Sequence, residues 1–261
     1  MSEVMYMKET IRRWRNHGIL ALVLMIALMG SYQYLSGYTT VSSNVNGKEM
    51  PIFSVETKEK KVALTFEAAW GNEDIARILE ILKEQGVLAT FFLTGEWAGK
   101  YPEDVKAIQE EGHDIGNHSE SHRSMVGLQE EEQKEEIMNA HKKVEDLTGI
   151  RMSLFRLPYD NYDDSVIRNI QSCGYYPIQW SVDSFDWKDY GADSIVEVVM
   201  NHESLENGAI IRLHCGTKYT ADALEVLIAG LRERGYQIVP VSKLIYKEDY
   251  HMNVMGRQIK D

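Results

Sequence analysis

The chain is expected to fold as an α/β protein, a distorted (β/α) barrel of about seven parallel strands preceded by an N-terminal transmembrane helix, and three observations predict this. Six amphipathic helical segments each run into a glycine that opens an apolar, strand-like segment. Helices and strands alternate throughout, which demands crossover connections and therefore a parallel sheet. Lys8, Arg12, Arg13 and Arg15 stand directly before the strongest apolar run, 19–29. Seven strands in this rhythm suit a closed or nearly closed barrel better than a short open sheet.

Taken in order, the basic cluster keeps residues 1–17 cytoplasmic and sends the rest outward. The apolar run continues weakly through Tyr32, Tyr34 and Leu35. It is short against the roughly 20 residues a spanning helix uses, yet no small-x-small cleavage site follows, so an uncleaved anchor over 18–36 is preferred to a cleaved signal peptide. That places the chain as a single-pass cell-membrane protein with its folded domain outside the cytoplasm. Residues 37–50 are rich in Ser, Thr, Asn and Gly and read as a stalk. The domain is assigned to 51–247 and a polar tail to 248–261.

Ile52–Val55 and Val62–Phe66 flank a charged turn and suggest a hairpin. Ile75, Ile78, Leu79 and Leu82 have the i, i+3, i+4, i+7 spacing of a helix, closed by Gly86 before the strand Val87–Leu93. Val105 and Ile108 mark the next helix, with Gly112 before His113–Asn117. Ile137, Ala140, His141 and Val144 mark a third, with Gly149 before Met152–Arg156. Val166 and Ile170 precede Gly174 and the strand Tyr175–Val182. Ile195, Val198 and Val199 precede Gly208 and Ala209–Leu213. Leu224, Leu227, Ile228 and Leu231 precede Gly235 and Gln237–Val241. Glycine is the usual left-handed residue just past a helix. The charge run 129–136 reads as the solvated face of the third helix.

With 261 residues and 44% apolar content the chain supports one sizeable domain. A net charge of −12 argues against a nucleic-acid partner. Cys173 and Cys215 make no disulfide framework and no CxxC motif.

His118 and His122 are four residues apart, the spacing at which two imidazoles on one helical face grip one metal ion. Catalytic zinc usually takes three protein ligands, so a third is wanted. In a β/α barrel, active residues gather where strands end, and here the strand ends carry Glu67, His118, Arg156, Asp183 and His214. Each has a plain structural role open to it: Glu67 as a helix N-terminal charge, Arg156 as an ion-pair partner, His214 as a satisfied core histidine. Five such groups at one rim point to a shared site.

Four stretches carry a resemblance. His118-Ser-Glu-Ser-His122, Arg156-Leu-Pro-Tyr159, Asp183-Ser-Phe-Asp-Trp187 and Leu213-His214 resemble, in order, the motifs of the polysaccharide deacetylase family (the NodB-homology domain, carbohydrate esterase family 4), and most of all its sporulation-associated branch. The resemblance covers about Lys61 to Tyr246. It implies a NodB-type barrel and metal-dependent deacetylation of N-acetylhexosamines in cell-wall or spore-cortex peptidoglycan. His118 and His122 would hold a divalent ion, commonly zinc, and a carboxylate at Glu67 would act as base. His214 would protonate the leaving amine with Asp183 fixing its tautomer, and Arg156 would hold the base. Pro158, Tyr159 and Trp187 would line the sugar site, with the Tyr159 backbone N–H on the oxyanion; ordinary rim packing is the other role open to the two aromatic rings.

The first motif departs from the family's T-F-D-D-G. It reads Thr65-Phe66-Glu67-Ala68-Ala69, with Glu at the base position and Ala68 where a second Asp would bind metal. Leu157 and Asp160 depart in the third motif. Three outcomes stay open: Glu67 remains the base on a weaker site, Glu67 becomes the third ligand, or hydrolysis is lost. The last corresponds to a membrane-tethered glycan-binding or structural protein of the spore envelope. Hydrolysis of another small amide is a further alternative. Loops 95–100 and 188–192 are expected to shape the groove.

Overall fold

The structure, a computed structural model, describes residues 43–261. Its central sheet is all parallel. In chain order the elements are β1 (Asn44–Val45), β2 (Lys48–Glu49), β3 (Ser54–Val55), β4 (Lys61–Ala68), α1 (Ile75–Glu84), β5 (Thr90–Leu93), α2 (Gly95–Lys100), α3 (Pro102–Glu110), β6 (Asp114–Asn117), α4 (Glu130–Thr148), β7 (Leu154–Phe155), α5 (Asp164–Ser172), β8 (Tyr176–Pro177), β9 (Val182–Asp183), α6 (Ala192–Met200), β10 (Ile210–His214), α7 (Thr220–Glu233), β11 (Gln237–Ile238), α8 (Val241–Leu244), β12 (Tyr250–Met252) and β13 (Arg257–Lys260). Seven strands follow the path β8-β7-β6-β5-β4-β10-β9, and β11 adds to β4. Among the described residues the two ends of the path, β8 and β9, do not pair, so the barrel is incomplete. The expected strand Tyr175–Val182 is instead two short strands on either side of this gap. Segment 52–55 crosses it: Ile52 bridges Ile178 and Ser54 bridges Ala209.

β4 shows why the barrel has two apolar layers. Val62, Leu64, Phe66 and Ala68 pack outward among the helices with Ile78, Leu82 and Leu227, and Phe66 stacks on Phe91 at 4.9 Å. Ala63 faces the opposite way, inside the barrel with Phe92, Leu154 and Ile210. Period-two alternation then turns Thr65 and Glu67 inward as well. Each buried large apolar side chain contributes about 1.5–3 kcal/mol. The helices are amphipathic as expected, and α1 buries Ile75, Ile78, Leu79 and Leu82.

All six punctuating glycines have positive φ, from +59° at Gly86 to +85° at Gly208. At Gly208 the need is steric too: a Cβ there would lie 1.7 Å from the carbonyl oxygen of Val55. Gly208 also accepts the Val55 N–H at 3.0 Å, tying the gap-crossing segment to the barrel. Gly208→Ala is therefore expected to cost about 2–4 kcal/mol, read as a lower urea midpoint with unchanged slope.

Several expectations are corrected. The 52–55/62–66 hairpin does not form. β4 is central, paired with β5, β10 and β11, and β3 pairs in parallel with β13. The polar tail 248–261 is folded: β12 and β13 form a hairpin, and the fully buried Gln258 side chain bonds both the N–H and the C=O of Tyr246. Residues 44–49, within the expected stalk, form a β-hairpin, and the Glu49 N–H donates to Asp164 on α5 at 3.0 Å. Residues 95–100 are a helix capped by Thr94, not a loop. The charge run at the start of α4 is only partly solvated, because Gln133 and Glu136 are buried. Cys173 and Cys215 are free thiols. Among the described residues no helix is long and apolar enough to cross a membrane; the expected anchor, 18–36, lies outside the described residues.

Candidate active site

Strand register assembles the site. His214 and Glu67 are direct partners on β10 and β4, and Arg212 is partnered by both Thr65 and Asp183. These side chains share the inner face at the carboxyl end of the sheet, where barrel enzymes place their chemistry. Glu67 is buried there. Its Oε1 lies 3.5 Å from Arg156 Nη1, and its Oε2 lies 3.5 Å from His118 Nε2 and 3.3 Å from His214 Nε2. Burial would raise this carboxyl's pKa, but His118 and His214 beside it hold it well below the usual range.

The histidine pair is not helical. Residues 118–122 form a loop after β6, with Ser119 at φ 67° and His122 at φ 57°, conformations that cost a non-glycine residue about 1–2 kcal/mol each. The loop nevertheless brings the two Nε2 atoms within 3.1 Å. His118 Nδ1 lies 2.9 Å from the carbonyl of Arg156. A carbonyl only accepts, so Nδ1 carries a proton and Nε2 is the ring nitrogen turned toward the site. Burial, with His118 adjacent, lowers the His122 pKa to about 4, so the His122 imidazole is neutral at pH 7.

The donor set fits a divalent cation. Glu67, His118 and His122 offer three ligand atoms within 4.8 Å of one another. Two of the separations, 3.1 and 3.5 Å, are close to the roughly 3.3–3.5 Å between neighbouring ligands that 2.0–2.2 Å bonds to tetrahedral zinc would give. Ala68 faces the outer core, and the carboxylate that faces the histidines is Glu67.

Arg156 is fully buried. It donates to Thr65 Oγ1 at 2.8 Å and to the Gln179 carbonyl at 3.1 Å, and its guanidinium lies 4.1 Å above the Phe92 ring. Burial lowers its pKa to about 10, which leaves it charged at neutral pH.

The acid couple differs from expectation. Asp183 does not touch His214; it pairs with Arg212 and accepts the Phe185 N–H. The carboxylate on His214 is Asp186, with Oδ1 2.7 Å from Nδ1 and Oδ2 accepting the His214 N–H at 2.7 Å and the Thr220 hydroxyl at 2.6 Å. The reason is geometric. Asp183 ends β9 alongside Arg212, whereas Asp186 sits on the next turn (Asp186–Lys188) and reaches the end of β10. Burial would lower the His214 pKa; the hydrogen bonds of Asp186 and Glu67 outweigh it and raise it to about 9.

Aromatic rings line the opening. Trp70 stacks on His214 at 5.6 Å and meets His122 edge-on. Tyr159, two-thirds exposed, lies 4.6 Å from His122. Trp187 is half-exposed and lines, with Trp70, Glu73 and Lys218, a cavity of about 370 Å³. Pro158 is buried and begins the turn that carries Tyr159 at φ 59°. Glu67, His118, His122, Arg156 and His214 thus converge, while Asp183 stands aside. Asp186, Trp70 and Thr65 complete the site beyond the residues that strand ends and motifs point to. Asp186 had one signal, its place before Trp187 in the fourth motif, but nothing in sequence ranks it over Asp183.

Fold and site define a barrel-rim centre of hydrolytic type: a histidine–carboxylate set open to a cation, beside a carboxylate-held imidazolium. The polysaccharide deacetylase family matches residues 54–178. A peptidoglycan-N-acetylglucosamine deacetylase of Bacillus cereus is 33% identical over 196 residues, covering 74% of this chain and 70% of that protein. The uncharacterized protein YlxY of Bacillus subtilis is 30% identical over 211 residues, 80% of this chain, and the chain spans 65% of its length. Among solved structures, a carbohydrate esterase family 4 pseudoenzyme of Bacillus anthracis superposes with a TM-score of 0.72 at 31% identity, covering 81% of this chain and 73% of that one. A mutant of it with restored enzymatic activity superposes with a TM-score of 0.71 at 34% identity, covering 74% and 70%. The chain belongs to the polysaccharide deacetylase family.

Proposed function

We propose that this chain is a metal-dependent deacetylase of N-acetylhexosamines in peptidoglycan, of the cell wall or the spore cortex, acting outside the cytoplasm from a membrane anchor. The observation that carries this is the position of Glu67, whose carboxylate lies between the His118–His122 pair and His214. Similarity to the Bacillus cereus enzyme supports the peptidoglycan substrate, and the resemblance to the sporulation-associated branch supports the spore cortex. The N-terminal basic and apolar pattern supports the anchor.

A divalent cation, zinc by the nature of the donors, would be held by His118, His122 and Glu67 and would supply Lewis acidity and a water of lowered pKa. Glu67 takes the ligand role that Ala68 cannot fill. Arg156 fixes its carboxylate. His214, protonated up to about pH 9, gives its proton to the departing amine nitrogen as a water oxygen bonds to the carbonyl carbon and the acetamide C–N bond breaks; the water's protons pass to solvent, because Glu67 in the ligand role is not free to take them. The Tyr159 N–H would meet the carbonyl oxygen, and Trp70, Tyr159 and Trp187 would offer faces to the sugar ring.

The test is acetate release from peptidoglycan and chito-oligosaccharide by the full-length chain, with metal analysis. Chelation is expected to abolish turnover. Glu67→Gln is expected to weaken zinc binding and to lower turnover at least about a hundredfold. Turnover that survives chelation would sink the metal reading. A second reading, a glycan binder with little hydrolysis, is favoured by Ala68 and by likeness to the Bacillus anthracis pseudoenzyme. Glycan binding without acetate release from any substrate would select it.

A further inference from the structure

The loop between the two histidines is held from outside the site by one carboxylate. Glu136, on the second turn of α4, is only 6% exposed. Its Oε2 accepts the backbone N–H groups of Glu120 and Ser121 at 3.1 and 2.9 Å. Its Oε1 accepts the Ser121 hydroxyl and Arg123 Nε, both at 2.9 Å. Four donors from three of the residues 120–123 therefore end on one side chain. Ser119, just before this grip, and His122, within it, hold left-handed φ values without glycine. Such backbone persists only where its surroundings over-determine it. Ser119 is braced as well, its N–H donating to Asn117 Oδ1 and its hydroxyl accepting the His122 N–H.

We infer that Glu136 is a positioning residue for the proposed metal centre, one that fixes the 118–122 loop so that the two Nε2 atoms face each other before any cation arrives. The inference rests on the metal reading above. Only a carboxylate serves. It accepts at both oxygens and donates at neither, whereas an amide would turn an NH₂ toward two of the four donors. Glu136 touches neither histidine ring, so its effect travels through the backbone of the loop and shows in cation affinity.

The experiment is the zinc Kd of the full-length chain, measured by competition with a chromophoric chelator well below the unfolding temperature, alongside the unfolding midpoint of the metal-free chain. Glu136→Gln is expected to raise Kd by about 10–100-fold. Ser121→Ala, which removes one of the four donors and keeps the backbone ones, is expected to give a smaller rise, and Glu145→Gln, two and a half turns further along α4, none. If Glu136→Gln does not fold, Ser121→Ala carries the test by itself. Parent-like zinc affinity in a folded Glu136→Gln, even with a lowered midpoint, overturns the positioning role and leaves the metal reading intact. A parent chain that takes up no zinc overturns both.

Discussion

Asp186→Asn is expected to lower turnover by about 10³–10⁴-fold, the scale seen when the carboxylate behind a catalytic histidine is made an amide. Three donors converge on Asp186: the His214 N–H, His214 Nδ1 and the Thr220 hydroxyl. Asn has one oxygen for the backbone N–H and the hydroxyl on one side, and then presents its NH₂ to Nδ1. That ring nitrogen must lose its proton, and the imidazolium is no longer supported from that side. The effect has a pH signature. The folded-state pKa of His214 is raised from 6.5 to about 9. Its contribution to stability is thus fully present below pH 6.5 and lost as pH rises through about 9. The unfolding midpoint of the metal-free chain is expected to fall across that window, and the fall is expected to be smaller in Asp186→Asn, where Glu67 alone supports the imidazolium. Asp183→Asn, acting on Arg212, is expected to cost stability while the alkaline limb of the turnover profile stays in place. An Asp183 variant that moved that limb instead would return the tautomer role to Asp183.

Arg156→Met is expected to destabilise the chain by about 3–5 kcal/mol, the usual cost of removing one partner from a buried charge pair. Methionine fills much of the volume over Phe92 but cannot replace the bonds to Thr65 and Gln179, and it leaves the Glu67 carboxylate buried without its guanidinium. Urea denaturation of the metal-free chain measures the loss. In a double-mutant cycle the same substitution is expected to cost clearly less in a Glu67→Gln background, because no carboxylate is then stranded. Equal cost in both backgrounds would mean that Arg156 acts through its other contacts alone.

Much of this molecule is legible in its residues. Helical periodicity located α1, α3 to α7 and their buried stripes, since each stripe must meet the sheet wherever the helix lies. The six glycines marked the return to a strand because the left-handed turn is a local requirement, and all six adopt it. Glu67, His118, Arg156 and His214 were found from their places at strand ends. What pattern could not show were contacts between segments far apart in the chain. β3 pairs with β13 about 200 residues later through backbone hydrogen bonds, and hydrogen bonds to the main chain leave little trace in side-chain pattern. Glu136 lay inside a run of charges that resembles a solvated face, and only the approach of the 120–123 loop buries it.

By itself, then, the sequence determined the parallel α/β architecture, the apolar faces and the chemical types at the site, because propensity and periodicity act within a few residues. Tertiary structure decided the rest. It chose Asp186 over Asp183 as the partner of His214. It left the barrel open between β8 and β9, and it made the histidine pair from a strained loop held by Glu136. It also brought Glu67, not Ala68, to face the histidines. Each of these depends on strand register and on the alternation of inner and outer faces, which exist only once distant segments lie side by side.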